Sequence, residues 1–248
     1  MKAIIQLVLR RLQSLIRARG ITGAVLYLGR NMFSLTTQLR RALLDISYDR
    51  RMGVQTTGQI SAADLEIDQS KIDGVGVGVI SGSAYAPSPA WALPAVLQDL
   101  KIRYKEYNFI DLGSGMGRVV LIAAQLPFSK VIGVELSQKL HEIAKDNLAR
   151  ISGRQKAGSV ELLLQDASEY SPPPGNCVIY LANPFRENVM RTVLDNLNRW
   201  LETQPGEMYL VYFVPVLAAL LDTMPFLTKV KSDRHYVIYR AQPARIEA

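Results

Sequence analysis

The 248-residue chain reads as an α/β protein: a doubly wound, mostly parallel seven-stranded sheet with an antiparallel hairpin at its carboxyl end, preceded by a helical N-terminal extension. Two observations carry that expectation. From Trp91 onward, short apolar runs of strand length alternate with longer runs of helical periodicity, the pattern of a parallel sheet covered on both faces. The last two apolar runs lie too close together to hold a helix between them, so they must pair antiparallel.

The elements follow in order. A helix is expected over 90–101, then an apolar strand over 107–112 and a helix after Gly117. A strand over 130–135, a helix over 138–151 and a strand over 160–165 come next. Strands over 177–181 and 207–213 flank a helix over 187–201. A short helix after Pro215 leads to closing strands over 226–231 and 235–240. The chain divides into a basic, mainly helical extension (1–60), a Gly- and Pro-containing flap (61–90) and a catalytic domain (91–248).

Charge is unevenly placed. Residues 1–51 carry ten Lys or Arg and two acids, a net +8, whereas residues 52–248 carry nineteen basic and twenty acidic residues, a net −1. The protein is therefore a near-neutral domain with a basic arm. In the arm, Ile5, Val8, Leu9, Leu12, Leu15 and Ile16 recur at helical spacing. Gln6 and Arg10-Arg11 interrupt any secretory signal. The arm fits helices packed on the domain or on a twin subunit. It also fits a helix lying on an anionic membrane through residues 1–44. Nucleic acid is the weaker partner, because no aromatic residues interleave the arginines. No stretch reaches 18 uncharged apolar residues, which excludes a conventional membrane-spanning helix.

One cysteine, Cys177, and two histidines leave no set for structural zinc, and no metal is expected. Cys177 in its apolar run suits a free buried thiol in a cytoplasmic protein, with peripheral membrane association the alternative address. His141 is expected on a solvated helix face, and His235 at the start of the last strand, far from the cofactor edge. Gly74, Gly76, Gly78 and Gly82 precede Tyr85-Ala-Pro-Ser-Pro89 without a following Gly-Lys-Ser/Thr, so a P-loop is rejected and a mobile flap is expected.

The chemistry concentrates at strand tips. Asp111-Leu-Gly-Ser-Gly-Met-Gly-Arg118 joins the first strand to a helix, and Gly113, Gly115 and Gly117 let backbone turn sharply against a ligand. Glu135 ends the second strand, 22 residues after Gly113, where a carboxylate can accept ribose hydroxyls. Asp166 follows the third strand, and Asn183-Pro184-Phe185 follows the fourth. A dinucleotide fingerprint needs its third glycine where Arg118 stands, and Asp111 would repel a diphosphate. The same acid suits the ammonium of a methionine moiety.

The segments FIDLGSGMGRVVLIAA, VIGVELS and LLLQDA resemble motifs one to three of the class I S-adenosylmethionine-dependent methyltransferases. The resemblance runs from about Trp91 to Arg240 and implies their Rossmann-like, seven-stranded sheet with S-adenosyl-L-methionine as cofactor. It implies that Asp111 and the Gly113, Ser114, Gly115, Gly117 backbone hold the methionine part. Glu135, with Leu136 beside it, would hold the ribose, and Asp166 with Ala167 the adenine.

Tyr85-x-Pro-x-Pro89 is similar to the pre-motif of seven-strand histone lysine methyltransferases and of membrane-associated mitochondrial lysine methyltransferases, where such a segment closes over the cofactor. Asn183-Pro184-Phe185 resembles the Asn-Pro-Pro-Tyr/Phe motif of amino-group methyltransferases, one proline short. Asn183, expected to touch the cofactor as well, and the Pro184 carbonyl would accept hydrogens of an amine, and Phe185 would stack on the acceptor or face the developing cation. The expected activity is methylation of nitrogen, with a protein lysine or other amino group as acceptor. A small-molecule or nucleic-acid methyltransferase of the same fold, and a cofactor-binding scaffold without turnover, are the alternatives.

Overall fold

The computed structural model describes residues 20, 45, 47–58, 85, 87–204 and 206–242. Contacts divide the chain after Ile46, and the fold is that of the unit Ser47–Ala248. The arm, Gly20 and Asp45 aside, and the glycine run 74–82 lie outside the described residues.

Seven strands form one sheet: β1 (Tyr107–Leu112), β2 (Lys130–Glu135), β3 (Ser159–Leu164), β4 (Asn176–Leu181), β5 (Met208–Phe213), β6 (Leu227–Ser232) and β7 (Tyr236–Ala241). Their order is β3-β2-β1-β4-β5-β7-β6. The chain winds outward from β1 through β2 to β3, then returns to β4 on the other side. This reversal opens a crevice above the tips of β1 and β4, where open α/β sheets bind ligands. β1 to β5 run parallel in unbroken register, for example Leu112 beside Leu181. β7 inserts antiparallel between β5 and β6, with Phe213 opposite Tyr236.

Five helices among the described residues flank the sheet: α1 (Ala92–Leu100), α2 (Arg118–Ala124), α3 (Gln138–Arg150), α4 (Glu187–Thr203) and α5 (Ala218–Leu221). All six residues of β1 are buried, as expected of a central parallel strand with both faces covered. Its side chains alternate between two cores. Ile110 and Leu112 join Met190, Val193, Leu197 and Leu221 of α4 and α5 on one face. Phe109 joins Leu93, Val96, Val120 and Ala123 of α1 and α2 on the other. Met190, Val193, Leu194, Leu197, Trp200 and Leu201 recur at three- and four-residue steps along α4, so one stripe of that helix is buried. Cys177 is a free buried thiol.

Residues 47–58 belong to this unit. Residues 47–52 are helical, and Tyr48, Met52 and Val54 pack on Leu121, Ala124 and Ile151. The Asn147 side chain binds both the N–H and the C=O of Gln55 at 2.8 Å, as a neighbouring strand would, and donates to Met116 O at 3.0 Å. One amide thus ties the segment after the arm to the loop at the tip of β1.

Both histidine expectations are corrected. His141 is 8% exposed, because it shares the buried stripe of α3 with Leu140, Ala144 and Asn147. Burial lowers its pKa. His235 lies at the carboxyl edge of the sheet, since the strand it precedes runs opposite to β5. Its ring meets Trp91 edge-on at 5.1 Å, and Trp91 in turn meets Phe213 at 5.8 Å.

Candidate active site

The loop after β1 is drawn back over β2 by two bonds: the N–H groups of Gly113 and Ser114 donate to Val134 O at 2.9 and 3.0 Å. That path needs left-handed backbone, with φ of +81° at Gly113 and +55° at Gly115. Space demands glycine as well. A β-carbon on Gly113 would lie 2.5 Å from Cβ of Pro184, and one on Gly115 would overlap the Tyr85 ring. The loop is pressed by the expected flap residue on one side and the β4 tip on the other. Tyr85, Gly115, Gly113 and Pro184 therefore form one contiguous site.

Two carboxyl groups lie beneath. Asp111 is 3% exposed, and its carboxyl makes no hydrogen bond or ion pair among the described residues. Burial first, and then the nearby Glu135, push its pKa up to about 8. A buried carboxyl without a partner is costly as an anion and is relieved by a cation brought to it. Glu135 is differently placed. Its Oε2 accepts the Gly115 N–H at 2.7 Å and its Oε1 accepts the Ser137 N–H at 2.8 Å. Burial raises its pKa, while the N–H groups of Ser137, Gly115 and Leu136 oppose that rise. Ser137 then caps α3 by accepting Leu140 N–H. Glu135 thus fastens the glycine loop to the start of α3. Each of its oxygens keeps a further lone pair for a ligand hydroxyl.

At the tip of β3, Asp166 Oδ1 accepts the Ser168 N–H at 2.9 Å and its hydroxyl at 2.7 Å, capping the turn that holds buried Ala167. Gln165 N–H donates to Glu135 O at 2.9 Å, which keeps this tip beside that of β2. Leu136 is half-buried between them in sequence.

At the tip of β4, Asn183, Pro184 and Phe185 are half-buried, and Asn183 has φ of +51°. Phe185 packs against the core under α4, so part of its ring is committed to the fold. Asn183 Oδ1 accepts the hydroxyl of Tyr212 at 2.8 Å.

Several residues of the site were not expected from sequence. Arg118, 2% exposed at the start of α2, donates from Nε to Thr56 Oγ1 at 2.6 Å and from Nη1 to Ser88 O at 3.2 Å. Its guanidinium lies 3.6 Å from Asp49. Asp49 also accepts the N–H groups of Thr56 and Thr57 at 2.9 and 2.8 Å and both their hydroxyls. Tyr85 donates to Thr56 O at 3.1 Å. The ring lying on Gly115 is therefore held by a chain of polar contacts that starts at Asp49. The one visible signal was Arg118 itself, standing where a dinucleotide loop would have glycine.

In chemical terms, the crevice offers an unpartnered carboxyl, a backbone loop cleared of side chains and an amide at the neighbouring strand tip. It suits a ligand with a cationic end and hydroxyls. Among the described residues no group of three or more His, Cys, Asp or Glu could hold a metal ion. None of the described helices is long and apolar enough to cross a membrane. A hollow of about 390 Å³ beside the run into β4, lined by Tyr170, Pro172 and Trp200, is at the opposite end of that strand from Asn183.

Residues 81–160 match the family model described as histone methylation protein DOT1. No curated protein matches the chain. Among solved structures, an RNA methyltransferase from Salinibacter ruber in complex with S-adenosyl-L-homocysteine aligns at 22% identity over 65% of this chain and 96% of that one, with a TM-score of 0.45. TrmN from Thermus thermophilus aligns at 18% identity over 63% and 49% of the two chains, TM-score 0.46. The ribosomal protein L11 methylase of Lactobacillus delbrueckii subsp. bulgaricus aligns at 15% over 60% and 76%, TM-score 0.43. The family match spans Tyr85, the acid-led glycine loop and Glu135, and the sheet has the seven strands and the antiparallel last strand that the sequence resemblance implied. On that agreement, the chain has the Rossmann-like methyltransferase fold, and its residues 81–160 are similar to the histone methylation protein family.

Proposed function

We propose that the protein methylates a nitrogen, with the side-chain amine of a protein lysine as its leading acceptor. The observation that carries this reading is the seating of Pro184, which follows Asn183, directly against Gly113 of the glycine loop. An amide oxygen and a backbone carbonyl stand beside the place where the donor's methionine end would lie.

Asp111 would take the ammonium of that end, and the Gly113–Gly117 backbone would line it. Glu135 would take the ribose hydroxyls beside Leu136, and Asp166 with Ala167 the adenine. Tyr85 would cover the loop. S-adenosylmethionine, when bound, supplies a methyl group already activated by a positive sulfur. The protein's part is to align the acceptor lone pair and exclude water, because an in-line displacement gains most of its rate from orientation. Asn183 Oδ1 and the Pro184 carbonyl would accept the amine's hydrogens and point its lone pair, and the free edge of Phe185 would face the cation as it forms. A neutral amine needs no metal and no strong base for this step. The histone-methylation description of the matching family model supports a protein acceptor, although its match ends at residue 160, before Asn183.

The test is to incubate the protein with S-adenosylmethionine labelled in its methyl group and a cell lysate. Label should enter protein as methyl-lysine, and Asn183→Ala should lower incorporation at least tenfold. Label in RNA or small molecules, or full activity in the variant, would overturn the reading. The basic arm, net +8, is further proposed to bring this domain to anionic membrane surfaces.

A further inference from the structure

We propose that Tyr212 is a positioning residue for the methyl-transfer reaction, acting by fixing which way the Asn183 amide faces. The proposal rests on the amino-acceptor reading above. Tyr212 lies within β5 beside Leu181 of β4, and its side chain is fully buried. Two residues further on, just past the strand ends, Asn183 and Val214 share left-handed backbone with φ of +51°. The Tyr212 hydroxyl reaches both tips. It accepts the Leu217 N–H at 3.2 Å and lies 2.8 Å from the Asn183 side chain.

Proton counting then decides the orientation of the amide. A backbone N–H can only donate, so the hydroxyl is the acceptor toward Leu217. Its single proton is left for Asn183. The atom of Asn183 that faces it is therefore the oxygen, since an NH₂ group there would leave the buried hydroxyl's proton with no acceptor among the described residues. The Nδ2 group has no partner among the described residues, so nothing else there sets the amide. A carbonyl oxygen has two lone pairs. One is taken by Tyr212, and the second remains for an N–H of the acceptor amine. The bond also polarises the amide while an ammonium develops beside it.

The arrangement also links the two tips. Leu217 follows the exposed Val214 and Val216, and Val214 N–H donates to His235 O at 2.8 Å. The loop after β5, the entry to β7 and the Asn183 amide are thus joined through one phenol. Without the hydroxyl, the Asn183 amide is free to turn over and present its NH₂ to an amine, which repels the acceptor's own hydrogens.

The test uses Tyr212→Phe, which keeps the ring and removes the hydroxyl. In a ¹⁵N-labelled sample the Asn183 side-chain NH₂ resonances should move and sharpen toward those of a freely rotating amide. Affinity for S-adenosylhomocysteine should stay within twofold. Incorporation of labelled methyl into lysate protein should fall about 10- to 100-fold, in line with the cost of misaligning a reacting group. The double variant with Asn183→Ala should be no slower than Asn183→Ala alone. That second variant sits at a half-buried position and gives a reciprocal readout, because loss of the acceptor should shift the Leu217 amide. Unmoved Asn183 resonances in Tyr212→Phe, an unmoved Leu217 amide in Asn183→Ala, or incorporation within twofold of wild type would each overturn the proposal. If wild type labels no amine while Tyr212→Phe still moves the Asn183 signals, the acceptor assignment fails and the link between the two side chains stands.

Discussion

Asp111 should make ligand affinity depend on pH in a direction opposite to what a simple ion pair gives. In the free protein, burial and Glu135 hold its pKa at about 8, so below that pH the carboxyl keeps its proton. Pairing with the ligand's ammonium requires the anion, and displacing the proton costs RT ln(1 + 10^(pKa − pH)). That is about 2.7 kcal/mol at pH 6 and about 0.4 kcal/mol at pH 8, a difference equivalent to roughly 50-fold in affinity. The ligand's amino group titrates near the top of this window and reduces the gain there. Calorimetric titration of S-adenosylhomocysteine at pH 6, 7 and 8, in buffers of different ionisation enthalpy, measures both quantities. Affinity should tighten by an order of magnitude or more from pH 6 to pH 8, with release of roughly 0.9 proton per binding event at pH 7. Asp111→Asn should bind weakly and with no such slope. A flat profile in the wild type, or an equal slope in Asp111→Asn, would refute the reasoning. The ligand-free fold follows the opposite sign. The native carboxyl holds its proton more tightly than the unfolded one, so stability is lost as pH rises from about 4 to about 8.

Two further outcomes are expected. Gly115→Ala must adopt left-handed backbone and displace the buried Tyr85 ring, so urea unfolding should show a loss of about 1–3 kcal/mol, and a loss under ~0.5 kcal/mol would mean the contact is easily relieved. Deleting residues 1–44 should abolish sedimentation with phosphatidylserine vesicles at low salt; vesicle binding that survives the deletion removes the arm from that role.

The strands were legible because each core strand buries both faces and so reads as an apolar run. β1 and β2 begin and end where the sequence placed them. β3 is shifted by one residue, since its mixed burial at the sheet edge weakens the pattern. The glycine loop, Glu135 and Asn183 were legible because chemistry restricts which residues stand at strand tips. What the sequence could not reveal are pairings between distant side chains. Asp49 meets Arg118 across 69 positions, and Tyr212 meets Asn183 across a strand and a helix. His235 was misplaced for a topological reason. Chain order does not say that β7 is inserted antiparallel beside β5, which brings its start to the carboxyl edge. His141 was misplaced because a polar residue on a helix was taken for a solvated one, although its neighbours at 140 and 144 share the buried stripe.

A crystal grown with S-adenosylhomocysteine would test most directly whether the tip of β1 holds a sulfonium donor. The amino group of the ligand should lie within hydrogen-bonding distance of Asp111, its ribose against Glu135 and its sulfur toward Asn183. An empty loop at saturating ligand, or a nicotinamide dinucleotide bound there in its place, would contradict the assignment.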